Sequence, residues 1–186
     1  MNIKTKSFLI TICLIFLLFI FLSQFLLSKT VSVTQLGFII KKSLPQTKTI
    51  AVLYPSYLKT TVIKDAKLAY SILRKNIVIY KISRRFELTK KIKRISKYKN
   101  VAVVLITDKS LLTQKSVKFI SSKLSKLSIP LISNRKDDTK FDALISMFYN
   151  KSKKLEIHLN KSQLEALDLT IPDDMVNKFI IDSDSK

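Results

Sequence analysis

The chain opens on an unbroken apolar run. Phe8 to Leu27 reads FLITICLIFLLFIFLSQFLL, with no charge between Lys6 and Lys29. As a helix, twenty such residues rise about 30 Å, the hydrocarbon thickness of a bilayer. Beyond it the pattern breaks into short blocks. Ile50-Ala51-Val52-Leu53-Tyr54 predicts a buried strand closed by Pro55-Ser56. Leu58, Val62, Ala66, Ala69 and Leu73 then recur at steps of four, four, three and four, one face of a helix. Ile77–Ile82 predicts a second strand, and Leu88, Ile92 and Ile95 mark a second helix. Val101–Ile106 is a third strand, followed by a helix on Val117, Ile120, Leu124 and Leu127 and a strand at Ile129-Pro130-Leu131-Ile132.

Strand and helix alternate, and the strands are continuous apolar runs. Both features predict an α/β domain whose mostly parallel sheet is covered on two faces, three layers in all. Ser133–Lys140 reads as a loop and Phe141–Tyr149 as a fifth strand. Leu155, Ile157 and Leu159 alternate with Glu156, His158 and Asn160, the period of a half-buried strand. Asn160 suits the N-cap of a short helix whose inner face carries Leu164 and Leu167. Pro172-Asp173-Asp174 opens a last helix. The expected organisation is an anchor over 1–28, a juxtamembrane connector over 29–47, the lobe over 48–182 and a polar tail over 183–186. In the connector, Lys41-Lys42-Ser43-Leu44-Pro45 is read as helix-breaking.

The apolar run has three readings. A signal anchor fits its length; a cleaved signal peptide needs a small-x-small site, where the chain has bulky Leu26; a lipoprotein needs a small residue before the cysteine, where Cys13 follows Ile12. The anchor is favoured. Lys4 and Lys6 compete with Lys29, Lys41 and Lys42, so positive-inside counting barely decides orientation. With the N-terminus inside, the domain lies outside the cytoplasm, on the periplasmic side of a bacterial inner membrane.

Charge adds one further property. The 186 residues include 34 Lys and Arg against 13 Asp and Glu, a formal net charge of +21. Such a surface attracts anionic head groups or polymers. Only Arg74, Arg84, Arg85, Arg94 and Arg135 are arginines, and base-reading surfaces favour arginine forks, so nucleic acid is not an expected partner. The favoured reading is codon bias with an incidental basic surface, since the composition is rich in Lys, Asn, Ile and Phe and nearly free of Gly.

Candidate chemistry is thin. Gly37 is the single glycine, which excludes glycine-rich phosphate loops and dinucleotide fingerprints. His158 is the single histidine, read as exposed on a strand's polar face, and Cys13 the single cysteine. No Ser–His or Cys–His pair, metal cluster or cofactor motif is expected, and the chain is not expected to be an enzyme. A phosphoacceptor receiver domain needs an acidic pair after the first strand, where this chain has Tyr54-Pro55-Ser56.

The ordered blocks resemble the second lobe of ABC-transporter substrate-binding proteins of the tryptophan/tyrosine-binding type, which have the type I periplasmic-binding-protein fold. The matching residues are Ile50–Ser56, then Val103-Val104-Leu105-Ile106 leading to Thr107-Asp108-Lys109-Ser110, then Ile129-Pro130-Leu131. The series ends on Asn160, Leu164, Leu167, Asp168, Leu169, Thr170, Ile171 and Pro172. Asp168 stands where the family has glycine. No first lobe is expected between the anchor and this one, and the segment from Phe141 to Leu155 is short beside the family's.

The resemblance implies that Tyr54, Ser56, Thr107 and Asp108 face a ligand: a stacking ring, two hydroxyls and a carboxylate for a ligand amine. Ser56 and Ser110 as helix caps and Asp108 as a turn former are the favoured reading of these groups, with ligand binding the alternative. The expected function is a truncated, membrane-tethered relative of a substrate-binding protein, binding a small molecule such as an amino acid beside a transporter permease. The alternative is a non-catalytic envelope module that dimerises or docks through its exposed face. A third reading holds the domain against anionic lipid by the Lys90–Lys99 cluster.

Overall fold

Seven strands pair into one sheet: β1 (Thr49–Pro55), β2 (Asn76–Ile82), β3 (Val101–Leu105), β4 (Leu131–Ser133), β5 (Ile145–Tyr149), β6 (Leu155–Asn160) and β7 (Ile180–Asp182). The structure, a computed structural model, describes residues 30–107 and 112–182. The strand order is β2-β1-β3-β4-β5-β6-β7. The pairings from β2 through β5 are parallel; β6 runs antiparallel to β5, and β7 parallel to β6. Among the described residues, six helices accompany it: α1 (Val33–Ser43), α2 (Lys59–Leu73), α3 (Glu87–Ile95), α4 (Gln114–Ser125), α5 (Lys161–Ala166) and α6 (Asp173–Val176).

The central strands are buried along their whole length because both faces are covered. Alternate residues feed two cores. Ile50, Val52, Ala102 and Val104 pack with Leu36 and Ile40 of α1 and Val62, Ala69 and Leu73 of α2. Ala51, Leu53, Val103 and Leu105 pack instead with Leu88, Ile92 and Ile95 of α3 and Val117, Ile120 and Leu124 of α4. This period-2 division between two helical layers is the three-layer α/β arrangement the apolar runs predict.

One expectation changes. Residues 29–47 are not merely a spacer: α1 occupies 33–43 and belongs to the core. Its N-terminus is doubly satisfied. Ser32 and Gln35 form a capping box, the Gln35 N–H donating to Ser32 Oγ (3.1 Å) and the Ser32 N–H to Gln35 Oε1 (3.0 Å). Asp65 of α2 accepts from the Val33 and Thr34 N–H groups at 2.5 and 3.3 Å. Its charge also suits the positive end of the α1 dipole. Pro45 falls two residues after the helix, so it ends α1 rather than preventing it. Gly37 sits where α1 crosses α2: a Cβ there would lie 2.4 Å from Leu73 Cδ1, so the absent side chain permits the close approach.

Elsewhere the chain does without glycine. Arg74, Asn100, Ser128, Asp142, Lys153 and Asp168 all have φ between 49° and 63°, the left-handed region. Asp168 adopts that region where the resembling family carries glycine. Phe141 ends a 3-10 turn (Lys136–Phe141), so the fifth strand starts later than expected, at Ile145. Asn160 caps α5 as anticipated, accepting from the Gln163 N–H at 3.0 Å. The last helix is a single turn, and the chain then adds β7, which the sequence reading omits.

The apolar run Phe8–Leu27 lies outside the described residues. Among the described residues, no helix is long and apolar enough to cross a membrane.

Candidate functional site

In a parallel sheet, ligands meet the loops that leave the carboxyl ends of the strands. Here those loops follow β1, β2, β3 and β4. The structure places the four expected residues unequally along this edge. Asp108 lies outside the described residues, as does Ser110. Tyr54 is only 3% exposed, packed in the core beneath α1 and α2, and burial pushes its phenol pKa up. It therefore presents no stacking face, contrary to the expectation. The residue's parity on β1 explains this: it shares the side of Ile50 and Val52.

Ser56 is half-buried at the start of the 3-10 turn Ser56–Leu58 that leads into α2. Neither that turn nor α2 takes a side-chain cap, so the capping alternative for Ser56 is not what the structure uses. Thr107, half-buried after β3, is the best-positioned of the four. Its N–H and its hydroxyl both donate to Asn134 Oδ1, at 2.8 and 2.9 Å. Ser56 and Thr107 follow paired neighbours β1 and β3, so they occupy one edge of the domain.

The sequence reading missed the group that shapes this edge. Asp138 is fully buried in the turn after β4. Arg135 donates to it from Nε at 2.7 Å and contacts it from Nη2 at 2.6 Å, and the Ser133 hydroxyl donates to its other oxygen. Arg135 Nη1 also donates to the Leu112 carbonyl at 3.4 Å, tying this turn to the loop that follows Thr107. Burial raises the Asp138 carboxyl pKa, with the Ser133 bond and the Arg135 charge pulling back. The adjacent acids Asp137 and Asp138 thus divide by role: Asp137 meets Lys140 at 3.6 Å on the surface. A buried acid three residues after an arginine has no periodic signature, which is why the pattern did not reveal it.

His158 is a second correction. It is not a bare exposed ring: its side chain is 13% exposed. Nδ1 lies 2.9 Å from Asp182 Oδ1 and Nε2 3.4 Å from Glu156 Oε2, with the Phe148 ring at 5.0 Å between centroids. The missed strand β7 brings Asp182 to it. Asn150, bonded to Glu156 at 2.6 Å, is the main cause that holds the Glu156 carboxyl below its usual value, with His158 assisting. Thr139 donates to Asp182 at 2.6 Å and Asn160 to the Thr139 carbonyl at 2.8 Å, so the cluster knits the sheet edge. Among the described residues, no group of three or more metal-ligating side chains is placed to hold a cation.

Solved structures share this fold. A conserved domain protein from Vibrio cholerae O1 biovar El Tor superposes with a TM-score of 0.70 at 15% identity, over 82% of this chain and 61% of that one. A ligand-free, open substrate-binding protein with adhesive properties from Clostridium difficile gives 0.67 at 19%, over 82% and 61%. An ABC domain in complex with L-Trp from Streptococcus pneumoniae gives 0.67 at 17%, over 79% and 60%. The chain therefore spans about three fifths of the length of these proteins. No protein-family model and no curated protein matches it. At these identities the likeness is one of fold: the domain shares the α/β architecture of part of these proteins.

Proposed function

We propose that this chain is a membrane-tethered relative of ABC-transporter substrate-binding proteins, its α/β lobe forming one wall of a site for a small molecule such as an amino acid. One observation carries the reading. The fold is that of substrate-binding proteins, and it sets Ser56 and Thr107 together on the carboxyl edge, with Thr107 fixed by Asn134. A hydroxyl held by a neighbouring loop is pre-oriented toward whatever enters that edge. In this reading residues 8–27 are the anchor, the domain stands on the periplasmic side, and an ABC permease is the partner.

The test is thermal unfolding of the full chain in detergent, with each of the twenty amino acids in turn. A ligand present at about 100 times its Kd stabilises by about 2.7 kcal/mol. Thr107→Val is expected to abolish that shift and leave the ligand-free midpoint nearly unchanged. Unaltered unfolding with every amino acid would remove amino acids as the ligand class. Protease protection in intact cells, against cells opened by osmotic shock, tests the side of the membrane.

A second reading is favoured by Tyr57 and Phe86, 66% and 73% exposed on the loops after β1 and β2. Aromatic tips on this edge suit association of two copies edge to edge. Multi-angle light scattering of the detergent-solubilised chain gives the mass of a dimer in that case and of a monomer otherwise.

A further inference from the structure

Three large apolar side chains face solvent along the seam between α1 and α2. Phe38 is 49% exposed, and Leu68 and Ile72 are 52% exposed each. The bond between the Thr34 hydroxyl and Asp65 fixes where they stand. Phe38 is one turn beyond Thr34, and Leu68 and Ile72 lie three and seven residues beyond Asp65. By helical phase, all three border the outer side of the same seam.

The charge around this strip has one sign. From Val33 to Lys75 there are eight basic residues and a single acid. That acid, Asp65, is committed to the Val33 and Thr34 N–H groups. Lys41, Lys42, Lys64 and Lys67 are exposed, and Lys42 Nζ stands 6.0 Å from the centre of the Phe38 ring. The cations also crowd one another: burial and then the Lys41 charge lower the Lys75 pKa. An anionic surface would relieve that crowding.

We propose that the α1–α2 seam rests on an anionic lipid bilayer, with Phe38, Leu68 and Ile72 at the headgroup–acyl boundary and the surrounding lysines among the phosphates. This rests on the tether reading above. Both chemistries of the patch are those of an interfacial amphipathic surface. Lipid is favoured over an acidic protein by proximity in the chain. Only five residues separate Leu27 from Val33. Fully extended, that connection reaches about 20 Å, so in the tether reading α1 begins no farther than that from the end of the anchor. The face differs from the Lys90–Lys99 cluster, which belongs to α3 and the loop after it on the opposite layer.

The experiment uses the full chain in lipid nanodiscs, on a Cys13→Ser background with a nitroxide at Leu68→Cys, and separately at Lys93→Cys on α3. Accessibility to lipid-soluble oxygen is compared with accessibility to a water-soluble nickel chelate. In discs containing phosphatidylglycerol, the oxygen-to-nickel ratio at position 68 is expected to rise several-fold over that at 93. It should fall back in discs of phosphatidylcholine alone, and with Lys41, Lys42, Lys64 and Lys67 all changed to Gln. A folded chain, by circular dichroism, in which position 68 stays as aqueous as position 93 overturns the proposal, as does an oxygen preference at 93 instead. Alkaline carbonate washing of vesicles tests the tether separately. Release of the chain overturns the tether reading, while the ratio at position 68 still decides the docking face.

Discussion

The two flanks of the sheet are held by different means. Through β1, β3 and β4, cohesion is apolar burial on both faces: every residue of the three is buried, and the side chains of β1 and β3 alternate between two helical layers. From β5 to β7 the sheet adds a polar relay to its buried apolar residues, Ile145, Met147 and Leu159 among them. Asn160 holds the Thr139 carbonyl, Thr139 holds Asp182, and Asp182 meets His158. The first flank is non-directional and redundant, so it fails by loss of volume. The second is directional, so it fails when one partner is removed. Between them lies the Arg135–Asp138 turn, a buried charge pair beside the proposed ligand edge.

That contrast can be broken at specific positions, with urea unfolding of the detergent-solubilised chain as the measurement. Leu53→Ala, at a fully buried position of β1, is expected to cost about 4 kcal/mol, while Leu53→Met should cost less than about 1.5 kcal/mol. Equal losses from the two would show that shape, not volume, governs this flank. Arg135→Met is next, at about 3 kcal/mol near neutral pH, because it leaves Asp138 buried without its cation.

This second loss should depend on pH with a definite sign. Burial raises the Asp138 pKa in the folded state, so the folded chain takes up the proton more readily than the unfolded one. Its contribution is fully present below the unfolded carboxylate value of about 3.9 and is lost as pH rises through the raised folded value. The Arg135→Met deficit should therefore shrink as pH falls through that window. An Asp138→Asn background should remove the trend, and a deficit independent of pH would mean that Arg135 acts by packing alone.

On the polar flank, Asp182→Ala strips a partner from both Thr139 and His158 and is expected to cost about 1.5 kcal/mol. No measurable change would mean that water replaces the relay at no cost. The smallest effect is a gain. Ser128→Gly and Lys153→Gly, both at left-handed positions, should each stabilise by up to about 1 kcal/mol.

The same contrast separates what the sequence discloses from what it hides. The apolar blocks at Ile50–Tyr54 and Val101–Ile106 announce buried parallel strands, and the steps from Val62 to Leu73 announce α2, because burial on a face imposes a period. Asn160 is legible too, since a cap is a local device. α1 escaped because a helix soon after a long apolar run and ahead of Pro45 reads as a linker; its tie to the domain is Asp65, some thirty residues away. β7 escaped because three residues carry no period. The bond from Thr107 to Asn134 spans 27 positions, and the relay through His158 depends on that unseen strand. Long-range polar partners are set by the fold, so they become visible only after it is known. Tyr54 shows the converse, a motif residue whose strand parity turns it into the core.

The strand order has a consequence for how this chain comes into being. After β2 and β3 flank β1, each later strand joins the edge formed by the strand just before it, in the succession β3, β4, β5, β6, β7. No later strand must be threaded between two that are already paired. During synthesis the sheet can therefore grow by accretion at one margin, each strand pairing with the one just before it in the chain rather than with a distant one. At each stage that growing margin offers unpaired backbone to other chains, and β7, at the end of the order, keeps an outer edge of its own. β7 is only three residues long, so the edge it presents once in place is short.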